Sequence, residues 1–141
     1  MEPLDRLMTE IHANIETNSE KAVQKIQMGE LGVSYPPNGG LSKDECKGIS
    51  KLDVDDSATA NALKKIIADA MFTTIYKLMI DMDALSEPEA TKGTWEGVKL
   101  CYGDKMTILN EHPLLNSTLG DAYWKWVKVR KLKSPRLDNA T

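Results

Sequence analysis

From Leu63 to Leu85 the chain places an apolar residue at every third or fourth position without a break. Leu63, Ile66, Ile67, Ala70, Met71, Ile75, Leu78, Met79, Met82 and Leu85 make up the run. This spacing keeps the side chains on one face of an α-helix for about six turns. Asp55, Asp56 or Ser57 can accept the first orphan N–H groups, and the two aspartates complement the positive end of the helix dipole. The predicted helix covers about 57–85. A helix this long has to find partners for its apolar stripe, so it is expected to be the spine of a bundle.

The partners are legible on either side. Leu4, Leu7, Met8, Ile11, Ile15, Ala22, Val23 and Ile26 give a first amphipathic helix over about 3–29. Pro3 sits at a tolerated early position and Gly29 lies at the end. The loop near 32–41 contains Pro36-Pro37 and Gly39-Gly40. Ser42 and Glu45 then have the spacing of a reciprocal cap, which predicts a short helix over 43–51 with Cys46 and Ile49 facing inward. Another loop covers 86–94. After it the period changes: Val98, Leu100 and Tyr102 alternate with Lys99 and Cys101, and Gly103-Asp104 separates this run from "KMTILN". That pattern predicts a β-hairpin, which must lie against helices because a lone hairpin is marginal in water. A last helix is expected to begin near Ser117 or Thr118 and to bury Leu119, Tyr123, Trp126 and Val127. The reading is a mainly α fold: about four helices bundled around a long central one, with one small hairpin. It is expected to form a single domain over 1–141 with a flexible tail at 134–141.

Charge is distributed unevenly. Residues 1–121 hold 12 Lys/Arg against 20 Asp/Glu, a balance of −8, while 122–136 hold six basic residues and no acid, and Asp138 completes the net −3. An acidic body disfavours broad contact with nucleic acid, which needs positive potential. The basic end "AYWKWVKVRKLKSPR" reads first as an amphipathic helix whose cations complement its negative dipole end. Trp124, Lys128 and Arg130 are its candidate protein-binding residues. A weak nucleic-acid contact through the same helix is the alternative.

Familiar catalytic and metal patterns do not form. Counted from Asp81, a calcium loop would need Gly and Glu where Ser86 and Lys92 stand. From Asp53 it would need them at Ala58 and Lys64. The soft ligands His12, His112, Cys46 and Cys101 have no zinc-pair spacing. "PPNGG" has no Lys-Ser/Thr ending, so it is not a phosphate loop. No metal, cofactor or catalytic residue is assigned. An enzyme would need a Cys/His site assembled by folding from Cys46, Cys101, His12 or His112, with His12 read as a partly exposed surface residue. The two cysteines are too few for a disulfide framework and are expected to be reduced and partly buried. The first residues lack the basic and apolar regions of a signal peptide, no apolar run is long enough to span a membrane, and the expected location is cytoplasmic. The sequons at Asn116 and Asn139 are expected to be chance occurrences.

The segments "IYKLMIDMDAL", "TWEGVKL" and "LGDAYWKWVKVRK" resemble a group of small uncharacterised bacterial proteins. These pair a helix ending in Ile-Asp-Gly with a W-x-x-V-x-L strand and close with a basic Y-W-x-W helix. The matching positions are Ile80-Asp81, then Trp95, Val98 and Leu100, then Tyr123, Trp124, Trp126 and Arg130, with Met82 where the pattern has Gly. The resemblance covers about the second half of the chain. It implies a bacterial cytosolic setting and no particular activity. The residues themselves lead to a non-enzymatic protein-binding module, of immunity or antitoxin type, directed at a basic partner. Its candidate contact rim is Asp81, Asp83, Glu87 and Glu89, and the apolar face of the first helix suits a homodimer equally well.

Overall fold

A computed structural model describes residues 1–35, 37, 39–89 and 93–130. Among them the order is α1 (Pro3–Gln27), α2 (Lys43–Ile49), α3 (Ser57–Met82), β1 (Cys101–Tyr102), β2 (Thr107–Ile108) and α4 (Leu115–Val129). The structure is 59% helical, well above the third of an average domain, so the mainly α reading with one hairpin stands. The tail expected at 134–141 lies outside the described residues.

Contacts divide the chain into two compact units, and the divisions fall inside α1 after Ile15 and inside α3 after Ala68. Among the described residues, the first unit contains Met1–Ile15 and 69–130. Its core is Leu4 and Met8 from α1, Met79 from α3, and Leu115, Leu119 and Ala122 from α4. Phe72, Ile75, Tyr76, Leu100 and Leu109 pack around it, half-buried. The hairpin therefore has the helical support that its short strands require. The second unit, Glu16–Ala68, buries the smaller side chains Val23, Val54, Ala60 and Ala68, while α2 has no buried residue.

Several boundaries differ from the predicted ones. The stripe on α3 is not a continuous core seam: Met79 is buried, yet Ile66, Leu78 and Leu85 are more than half exposed. The helix stops at Met82 because the chain turns left-handed at Ala84 (φ 58°) and Leu85 N–H closes back on the Ile80 carbonyl, a termination usually made with glycine. The end is also covered from outside, where Val98 N–H donates to the Met82 carbonyl at 2.9 Å. Gly97 makes that approach possible. Its φ is +84°, and a Cβ there would stand 2.7 Å from the Met82 oxygen, too close for any other residue. The strands are shorter than the alternation predicts, and α4 begins at Leu115 rather than 117 or 118. Its buried stripe is accordingly Leu115, Leu119 and Ala122, with Tyr123, Trp126 and Val127 half-buried beside it.

Candidate functional site

The acids expected as a rim at the end of α3 also make hydrogen bonds that shape the loop that follows. Asp81 accepts from Lys77 at 2.6 Å and from the Ser86 hydroxyl, and Lys77 also donates to Ser86. The Lys77 hydrogen bond, followed by the one from Ser86, holds the Asp81 carboxyl below its usual range. Asp83 accepts the Asn116 N–H at 3.2 Å, near the start of α4, and lies 3.5 Å from the Asn110 amide. Glu87 accepts the Gly93 N–H, and Glu89 is also engaged. Trp95 donates its indole N–H to the Asp81 carbonyl. Asp81 and Glu87 thus help to shape the loop, and Asp83 ties it to the start of α4. Glu87 and Glu89 are exposed, and Asp81 and Asp83 are half-buried. Asp81, Lys77 and Ser86 superficially suggest a nucleophile with its base. However, a lysine that donates to a carboxylate offers no lone pair to the serine, and Lys77 is mostly exposed.

The basic helix also separates into different roles. Trp124 is 66% exposed and stands edge-on to Tyr123. Lys128 is exposed. Arg130, by contrast, is 9% exposed, so it does not share an open face with them. Lys125 is tied to Asp5 of α1 at 2.6 Å. Lys125 thus holds α4 to α1, and Arg130, just past the end of α4, is enclosed.

His12 departs furthest from expectation. It is 5% exposed, and its Nε2 lies 2.7 Å from the Leu119 carbonyl. A carbonyl can only accept, so Nε2 carries the proton. The ring stacks with Phe72 (6.0 Å) and meets Tyr123 edge-on (5.5 Å). This histidine is a core connector between α1 and α4. Its isolated place on an amphipathic helix gave no sign of that, because its partner is a backbone group 107 positions away. Cys101 is exposed rather than partly buried, Cys46 is half-buried, and both are free thiols. Among the described residues no group of three or more His, Cys, Asp or Glu is arranged to hold a metal ion, and no helix is long and apolar enough to cross a membrane.

What sequence reasoning missed is a groove of about 560 Å³ in the first unit, between the start of α1 and the hairpin. Met1, Pro3, Arg6 and Leu7 form one wall, and Leu100, Cys101, Tyr102 and Leu109 the other. Of its lining residues, Leu7 and Tyr102 (58%) are large apolar side chains left exposed. Asn110 shapes the wall. This 2% exposed residue accepts the Leu100 N–H at 2.8 Å and donates to the Val98 carbonyl at 2.7 Å, so its amide continues the ladder that the short strands leave unfinished. The alternation of Leu100 and Tyr102 was visible in the sequence, but the opposing wall from α1 was not. No protein-family model, curated protein or solved structure gives a significant match to this chain.

Proposed function

We propose that this chain is a non-enzymatic protein-binding module that holds its partner at the groove between α1 and the hairpin. The carrying observation is the apolar character of that open surface: Leu7 and Tyr102, both exposed, line the groove together with Met1, Leu100 and Leu109. Contiguous apolar surface on a small protein marks an interaction site more often than a scatter of single residues does. The acidic balance of residues 1–121 supports a partner that is basic overall and is drawn in by long-range charge. An immunity- or antitoxin-type inhibitor in a bacterial cytosol fits that combination. Affinity capture from the native host should recover a defined partner with the parent chain and lose it with Tyr102→Glu, provided the circular dichroism of the variant is unchanged. Recovery of no partner by the parent chain, or equal recovery by both, would count against the reading.

A further inference from the structure

Antiparallel pairing leaves one kind of position with its backbone turned outward. Leu109 N–H donates to the Leu100 carbonyl at 2.7 Å, which makes Leu100 and Leu109 a hydrogen-bonded pair. The register then places Cys101 opposite Ile108 and Tyr102 opposite Thr107. Hydrogen-bonded and non-bonded pairs alternate, so the N–H and C=O of Cys101 point away from β2, to the outer edge of β1. Lys99 lies two residues earlier, where the extended chain has the same orientation. Among the described residues the backbone groups of Lys99 and Cys101 have no partner outside the hairpin. An open strand edge of this kind is a template for another strand.

The groove adjoins this edge. It is lined by three successive residues, Leu100, Cys101 and Tyr102. Side chains alternate along a strand, so a groove that touches all three must border the backbone as well as one face. On the other arm of the hairpin it reaches Leu109 but neither Thr107 nor Ile108 of β2, and so it follows β1 furthest. Two cations accompany it. Arg6 is in the groove wall and Lys99 is on the edge. Both are exposed, and among the described residues neither has a side-chain partner.

We infer that this site takes an extended peptide segment as an added strand on the free edge of β1, with apolar side chains at alternate positions entering the groove and carboxylates meeting Arg6 and Lys99. Backbone pairing supplies attachment, and the alternate side chains supply selection. The free backbone groups favour a peptide over a lipid or a nucleic acid, because they call for a regular row of donors and acceptors. Charge complementarity favours acidic residues within the segment. The inference rests on the protein-binding reading and names what the groove selects within the partner.

The test uses the full chain, isotope-labelled, and a blocked synthetic peptide of about seven alternating valine and glutamate residues, enough to span a typical strand. Binding should shift the amide signals of Lys99 to Tyr102 and of the first turn of α1. It should also slow alkylation of Cys101 relative to Cys46. Methylating one set of alternate peptide nitrogens should abolish binding, and methylating the other set should leave it intact. Replacing glutamate by lysine, or Arg6→Ala in the protein, should weaken binding by about two- to fivefold, the scale of one exposed ion pair. Shifts that map elsewhere, or equal binding by both methylated peptides, overturn the inference. So does sedimentation showing that a second copy of the chain already occupies the edge. If a partner captured from the host is retained by Arg6→Ala and Leu7→Glu, the module stands and the groove does not. If the peptide binds but the host yields no partner, the groove stands and the module reading falls.

Discussion

In the first unit the telling hydrogen bonds cross the sequence. His12 reaches Leu119, Lys125 reaches Asp5, Asn116 reaches Asp83, and Asn110 draws Val98, Leu100 and Asp83 together. In the second unit most of them close within a single turn. Ser42 and Glu45 cap each other, with Ser42 N–H donating to the Glu45 carboxylate at 2.6 Å and Glu45 N–H to the Ser42 hydroxyl at 3.2 Å. Asp56 accepts from both the N–H and the hydroxyl of Thr59, and Ser50 donates to the Lys47 carbonyl. The longer links there are Gln27 to the Val54 carbonyl and the Lys64–Glu20 pair. The first unit also buries the larger side chains: Met8, Leu115 and Leu119 are fully enclosed, whereas the enclosed residues of the second are Val23 and Ser19. Local capping specifies where a helix starts. It does little to hold one helix on another, which depends on buried area. The second unit is therefore well specified and weakly held. The first is held by contacts that exist only after folding.

This contrast can be broken by mutation. Leu119→Ala removes a fully enclosed side chain from the centre of the first unit and should cost about 3 kcal/mol or more in a urea melt. Ile49→Ala, from the half-buried face of α2, should cost much less. Equal losses would mean that the two units are held alike. Asn110→Ala leaves the Leu100 N–H and the Val98 carbonyl without their partner, and a loss of about 1–3 kcal/mol is expected. Hydrogen exchange should show the hairpin opening first. If exchange at the hairpin is unchanged, the asparagine is not what finishes its ladder.

Smaller effects belong to the local bonds. Ser42→Ala removes the α2 cap and should cost about 1 kcal/mol, with faster exchange confined to α2. Spread into the first unit would contradict a purely local role. The least effect is the acid titration of Asp81. Its carboxyl is held low by Lys77 and then Ser86, so its favourable contribution is present above the unfolded carboxylate value and is lost as the pH falls through the lower, folded one. A carboxyl titration followed by nuclear magnetic resonance should place Asp81 below a free aspartate, and Lys77→Met should move it upward. No upward movement would show that the lysine is not the cause.

The sequence by itself determined the helices, because their signals are local. The period of three and four over α1 and α3, the Ser42–Glu45 cap and the alternation of Leu100 and Tyr102 each involve neighbours within a few residues. It also marked the acidic end of α3 and the basic last helix as charged, since composition is visible without a fold. Only the tertiary structure decided how those charges are used. Asp81 and Glu87 accept hydrogen bonds within the loop, Asp83 accepts one from the start of α4, Arg130 is enclosed, and Lys125 is committed to Asp5. It likewise decided which apolar residues are core. The α3 stripe looked uniform, but Met79 is covered and Ile66 is not, because burial depends on which elements reach a surface and not on periodicity. His12 became a buried connector because Leu119 O came within 2.7 Å of it. The groove exists because α1, at the start of the chain, lies beside residues 100–109. A pairing across so much intervening chain leaves no local pattern to read.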